Sequence, residues 1–199
     1  MSKAVIYIHG KDGSSAEAEF YKSIFEDYDI IGLDYKSQTP WEAKEEFAKL
    51  IDEIIKKYDS VILIANSIGA FFTMNAMQNK KIEKAFFISP IVDMQKLIED
   101  MMKWTNITEE ELKKEGTIKT SFGEDLSWEY LLYVKNNKFS WKIPTHILYG
   151  EKDNLTSLET ITKFVNMHDA TLTIMGNGEH WFHTEEQMNF IRQWIEMYK

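Results

Sequence analysis

Ten consecutive residues, Val61-Ile62-Leu63-Ile64-Ala65-Asn66-Ser67-Ile68-Gly69-Ala70, restrict the fold of this chain more than any other stretch. The first half is an unbroken aliphatic run, the pattern of a strand buried on both faces in a parallel sheet. The second half runs straight into Phe71-Phe72-Thr73-Met74-Asn75-Ala76-Met77, which reads as a buried helix. Between them stand Ala65 and Gly69, two residues either side of Ser67. A strand that turns this sharply into a helix crowds its own backbone, so those two flanking positions must be small. The serine at the apex is then strained, with its hydroxyl above the sheet and a helix N-terminus behind it. With average residue usage, a small residue, Ser and Gly at these spacings occur by chance in roughly one chain in seven of this length. The rest of the chain has to support the reading.

It does so through alternation. Ala4 to Ile8 is a short apolar run ended by His9-Gly10, and Lys11 to Ser15 is a loop whose Ser14 or Ser15 caps a helix to about Tyr28. Asp29 to Asp34 reads as a second strand. Thr39-Pro40-Trp41-Glu42 then opens a helix, with Thr as N-cap, Pro at the first helical position and Glu three residues on. It runs to roughly Lys57 and buries Phe47, Leu50, Ile51, Ile54 and Ile55 on one stripe. Further strands are predicted at Lys84–Pro90, Thr145–Gly150 and Ala170–Met175, and a last amphipathic helix from about Thr184 buries Met188, Ile191, Trp194 and Ile195. Strands alternating with helices predict an α/β fold with a mostly parallel, doubly wound sheet, whose ligand site lies at the carboxyl ends of the strands.

Length and composition narrow the function. At 199 residues the chain fits one domain with a sizeable core. A net charge of −9 argues against nucleic acid, which needs clustered Lys and Arg. With no cysteine there is no thiol nucleophile, disulfide framework or thiolate metal site. No apolar run approaches the length of a membrane span, and the five apolar residues Ala4–Ile8 are too short for a signal sequence. A soluble cytoplasmic protein without a membrane partner is expected, its oligomeric state open.

A serine hydroxyl becomes a useful nucleophile when an imidazole takes its proton, and a carboxylate must orient that imidazole. After Ser67 the chain offers Gly150-Glu151-Lys152-Asp153 behind the fifth strand and Gly176-Asn177-Gly178-Glu179-His180 behind the sixth. The corner around Ser67 resembles the nucleophile elbow of the α/β-hydrolase family, with alanine for the usual first glycine. The two later segments resemble that family's acid turn and histidine loop, in the order Ser, acid, His. The resemblance covers nearly the whole chain and implies a serine hydrolase with the α/β-hydrolase fold and a short N-terminus. Its catalytic residues would be Ser67, Asp153 and His180, with Asp93 the rival acid and His183 the rival base. His146 and His168 are read as structural, and a metal held by His180 and His183 lacks a third ligand by spacing. The family's His-Gly-x loop implies backbone N–H donors for the oxyanion at Lys11 and Ile68, with Gly10 letting the backbone pass close to the substrate. No metal or organic cofactor is required.

One segment, Ile91 to Ile143, breaks the alternation and is expected to be a helical cap or lid inserted into the single domain 1–199. Met94, Leu97, Ile98 and Met101 share a helix face, Thr108 caps a second helix, Gly116 to Trp128 suits a small hairpin, and Ser127 caps a third helix. Met101, Met102, Trp104, Trp128 and Tyr130 are candidates to line an acyl pocket, and Trp181 and Phe182 to shield the site from water. The expected partner is a small-molecule acyl substrate, an ester or related carbonyl compound. The same triad serves thioesterases, peptidases and C–C hydrolases, and the fold also serves as a non-catalytic binding module.

Overall fold

The computed structural model describes residues 1–77, 80–121 and 123–199. The chain opens with strand β1 (Lys3–Ile8), whose last five residues are buried. The predicted helix is a 3₁₀ helix, Ser15–Ser23, and ends five residues before the expected Tyr28. The reason lies in the spacing of its apolar residues: Ala18, Tyr21 and Ile24, all buried, recur every three residues, the 3₁₀ period. Strand β2 (Asp29–Gly32) stops two residues short of the predicted end. Helix α1 (Pro40–Ile55) starts as its sequence requires, with the Glu42 N–H donating to the Thr39 hydroxyl and the Thr39 N–H to the Glu42 carboxylate. Ala43, Phe47 and Ile51 form its buried stripe, while Leu50, Ile54 and Ile55 are half-buried. Strand β3 (Ser60–Asn66) and helix α2 (Ile68–Ala76) meet at Ser67. Gly69 through Asn75 are all buried, as an apolar helix without a polar face demands. Strand β4 (Lys84–Ile88) follows.

Residues 93–139 then form a compact unit of their own, nested in the predicted 91–143 insertion. It contains α3 (Met94–Trp104), α4 (Glu109–Glu115), the antiparallel hairpin of β5 (Thr117–Lys119) and β6 (Asp125–Ser127), and α5 (Trp128–Asn136). Phe122, inside the predicted hairpin, lies outside the described residues. Thr108 and Ser127 cap α4 and α5 through their hydroxyls. Here Leu112, Leu126 and Leu131 are buried, Met101, Trp128 and Tyr130 are half-buried, and Trp104 is exposed.

The other unit, residues 1–92 and 140–199, resumes with β7 (Thr145–Gly150), α6 (Leu158–Met167), β8 (Ala170–Met175) and α7 (Glu185–Tyr198). Its six strands form one parallel sheet in the order β2-β1-β3-β4-β7-β8. On one face the 3₁₀ segment and α7 pack Tyr21, Phe25, Trp194 and Ile195 against Val5, Ile62 and Phe86. On the other, the rings of Tyr35, Phe47 and Phe72 meet edge to face. The sheet is therefore doubly wound. The chain leaves β1 for one side to make β2 and returns on the other to make β3, so the order reverses between β1 and β3. In such folds the crevice at the carboxyl ends of those strands is where ligands bind. Among the described residues no helix is long and apolar enough to cross a membrane.

His146 sits on β7 with its ring stacked on Tyr198 at 4.3 Å and its Nδ1 2.8 Å from the Thr171 hydroxyl. Burial, and secondarily the Lys84 charge, holds its imidazole below the ordinary value of 6.5, with Asp169 opposing. The unfolded chain therefore binds this proton more readily than the native protein. The contribution to stability is fully present above the unfolded value and is lost as pH falls through the lower native one. Between about pH 7.5 and 5.5 the Tm should fall, and His146→Phe should flatten that slope in thermal melts at stepped pH.

Candidate active site

Ser67 occupies the corner between β3 and α2 with φ 49° and ψ −120°, a left-handed conformation a side chain adopts only under constraint. Such strain costs about 1–3 kcal/mol and persists only where neighbours over-determine the backbone. Here three backbone bonds do so. The Ser67 N–H donates to the Ile88 carbonyl at 3.0 Å, and the Ser67 carbonyl accepts from the N–H groups of Ala70 and Ile91 at 3.1 Å each. The small residues at the corner have a direct steric cause. A Cβ on Gly69 would lie 2.3 Å from the His9 carbonyl oxygen, and one on Gly10 would lie 3.3 Å from the Ser67 Cβ. The loop after β1 thus passes directly against the corner after β3.

The Ser67 hydroxyl is 2.8 Å from His180 Nε2, and His180 Nδ1 is 2.7 Å from Asp153 Oδ2. With Nδ1–H donating to the carboxylate, Nε2 is left as the acceptor facing the serine. The Asp153 side chain is fully buried, a costly place for a charge unless it is hydrogen-bonded. It is: Oδ1 accepts the N–H groups of Leu155 at 2.8 Å and Thr156 at 3.0 Å, leaving Oδ2 for the imidazole. The Tyr149 hydroxyl braces the same turn by donating to the Thr156 carbonyl. Burial, and next the Asp153 charge, pushes that phenol up. Loop-to-loop contact aligns the two partners. Lys152 N–H donates to the Gly178 carbonyl at 2.8 Å, and a Cβ on Gly150 would lie 2.6 Å from the carbonyl oxygens of Gly178 and Glu179.

The other candidates fall elsewhere. Asp93 caps α3, accepting the Lys96 N–H at 3.0 Å. His183 Nδ1 donates to the Trp181 carbonyl, and the two rings stack at 4.4 Å. Trp181 is 73% exposed, whereas Phe182 belongs to the core. His168 donates from Nδ1 to the Trp141 carbonyl at 3.0 Å. Ile68 is the first residue of α2, and Lys11 lies on the exposed loop between His9 and Ser14. Among the described residues no group of three or more His, Asp or Glu is arranged to hold a metal. A groove of about 790 Å³ between Met175 and the first turns of α7 contains no member of the Ser67–His180–Asp153 relay.

Tyr35 has a role at this site that sequence reasoning missed. Its ring stacks on His9 at 4.2 Å and its hydroxyl donates to the His9 carbonyl at 2.8 Å, while His9 Nδ1 donates to the Gly10 carbonyl. The loop after β1 is thereby held from the side of β2. No spacing rule joins residue 35 to residue 9; only the pairing of β2 with β1 does.

The sheet order and the helices that flank it have the form of the α/β-hydrolase fold. No protein-family model matches the chain, and no curated protein matches it in sequence. Solved structures match closely in shape and weakly in sequence. Alpha/beta hydrolase domain-containing protein 10 from mouse superposes with a TM-score of 0.77 at 15% identity, over 98% of this chain and 88% of its own. Est1E from Butyrivibrio proteoclasticus, also solved with ferulic acid bound, gives 0.74 at 17% identity over 99% and 86%. A lipase-esterase related protein from Clostridium acetobutylicum gives 0.68 at 16% identity over 99% and 94%. The chain has the α/β-hydrolase fold, and its structural neighbours include esterases and hydrolases.

The contact at Gly69 generates a prediction that needs no substrate. Gly69→Ala forces either α2 or the loop after β1 to move, at a cost of about 1–3 kcal/mol. Urea unfolding should show a lower midpoint with the slope unchanged, the shift multiplied by the slope giving that free energy.

Proposed function

We propose that this protein is a serine hydrolase that cleaves a small acyl ester or related carbonyl substrate through an acyl-enzyme. The observation that carries the proposal is the continuous relay from the Ser67 hydroxyl through His180 to the buried carboxylate of Asp153, at 2.8 and 2.7 Å. Ser67 attacks the carbonyl carbon as His180 Nε2 takes its proton. The imidazolium is stabilised by Asp153 and returns the proton to the leaving group. Water, activated by the same imidazole, then releases the acid. The N–H groups of Ile68 and Lys11 hold the oxyanion in this reading, supported by the helix N-terminus at Ile68 and by the close passage of Gly10 over Ser67. Ferulic acid in the structure of Est1E supports a small carboxylic acid derivative as the substrate class.

Ser67→Ala should reduce p-nitrophenyl acetate turnover by about a million-fold, and Asp153→Asn by about ten-thousand-fold. A fluorophosphonate probe should label Ser67 in the wild type alone. Near-wild-type turnover by Ser67→Ala would end the proposal, and an intact fold without labelling would favour a non-catalytic binding module.

The same proposal assigns Met101, Trp104 and Trp128, together with Trp181 beside the base, to contacts with substrate. What supports it is the insertion of 93–139 after β4 and the adaptable or flat shape of these side chains. Trp104→Ala and Trp128→Ala should change KM for butyrate relative to acetate esters by about tenfold and leave the acetate kcat in place. Equal KM ratios in variants and wild type would remove these residues from the site.

A further inference from the structure

We infer that Tyr7, Glu17 and Asn66 are positioning residues, a hydrogen-bonded clamp that ties the loop carrying Lys11 to the corner carrying Ser67. The inference rests on the hydrolase reading above and adds three residues that reading does not use. Asn66 immediately precedes the nucleophile, and its Nδ2 donates to the Tyr7 hydroxyl at 3.0 Å. Tyr7 donates in turn to Glu17 Oε2 at 2.5 Å, and Glu17 Oε1 accepts the Ser14 N–H at 3.0 Å. Three elements adjacent in space, β3, β1 and the 3₁₀ helix, are thus joined by one string that ends on the last residue of the 9–14 loop.

The direction of every bond in the string follows from chemistry. A carboxylate only accepts, so Glu17 takes both protons offered to it. The Tyr7 hydroxyl spends its one proton on Glu17 and can only accept from Asn66, which sets the Asn66 amide with its nitrogen inward. The cost of that orientation is visible: Asn66 Oδ1 is buried without a hydrogen-bond partner among the described residues. A group left in that state costs about 1–3 kcal/mol, so the amide's orientation is imposed by Tyr7. Tyr7 is itself 1% exposed. Its burial, followed by the charges and hydroxyls around it, drives its phenol far above the ordinary range and keeps it protonated as the string requires.

The loop between the two anchored ends has no slack. Gly13 N–H donates to the Gly10 carbonyl at 3.3 Å, and Asp12 is held at φ 58°. A Cβ on Gly13 would lie 2.9 Å from Glu17 Oε1 and 3.0 Å from the His9 Cβ. With Gly10 against Ser67 at one end and Ser14 on Glu17 at the other, the position of the Lys11 amide is a consequence of the clamp. Displacing a reacting or stabilising group by about 1 Å costs on the order of a hundredfold in rate.

Tyr7→Phe keeps the ring and deletes both of its bonds; Glu17→Gln keeps the shape and deletes the double acceptor. Each should lower kcat on p-nitrophenyl acetate, per site titrated with a fluorophosphonate, by about 10- to 100-fold while KM moves less than about twofold. The double variant should be no slower than the slower single one, because the string is broken once. A second readout is free of catalysis: amide hydrogen exchange across residues 10–14 should accelerate in both variants. Wild-type kcat per titrated site, activity lost only in proportion to the folded fraction, or unchanged exchange in that loop would overturn the clamp. A wild-type protein that neither turns over nor labels at Ser67 would overturn the hydrolase reading, and the positioning role with it.

Discussion

The approach of two backbones at the carboxyl ends of β1 and β3 is the constraint on which the rest of the site depends. At Gly69 there is no room for a methyl group beside the His9 carbonyl, and at Gly10 the loop runs against the Ser67 side chain. Parallel strands that diverge into different connections would ordinarily separate here, since the sheet order reverses between them. Instead, a corner strained at Ser67 is held in place by backbone bonds from β4 and from the segment that follows it. Strain of that kind is tolerated because the strand-to-helix turn has nowhere else to go. It also leaves the hydroxyl at the start of a helix, where the helix dipole favours negative charge.

Around that corner hydrogen bonds tie the polar side chains of Asp153, His180, His9, Tyr35, Tyr7 and Glu17 to their surroundings. The Asp153 carboxylate is taken out of water, and two backbone N–H groups replace part of its hydration while the imidazole takes the remaining oxygen. Because the carboxylate is anchored by its own turn, it orients His180 rather than following it. Tyr35 and His9 brace one side of the loop after β1, and Glu17 and Tyr7 the other. A loop of six residues is thereby held from both sides by side chains on rigid elements.

Part of the structure depends only on short-range pattern. The strands at Thr145–Gly150 and Ala170–Met175 follow from their apolar runs, and α1 follows from Thr39, Pro40 and Glu42. The helix after Ser14 is legible from its start signal, and the three-residue spacing of Ala18, Tyr21 and Ile24 makes it 3₁₀ and ends it at Ser23 rather than near Tyr28. Gln187 was unexpected in the core of α7; it is buried because its side chain accepts the N–H groups of His183 and Thr184. Trp181, read as a shield, is a largely exposed ring stacked on His183, since the loop turns Phe182 inward in its place.

By itself the sequence determined the alternation of strands and helices, the corner at Ser67, and the chain order of serine, carboxylate and imidazole after it. These follow from local sterics and from periodicity, which need no knowledge of distant partners. Only the tertiary structure decided that Asp153 meets His180, and that Tyr7, Glu17 and Tyr35 converge on the loop after β1. The hydrogen bonds of the site join residues up to 113 positions apart through strand order and register. A hydrogen bond selects its partner by distance and angle within a few tenths of an ångström, and no residue spacing along a chain carries that information.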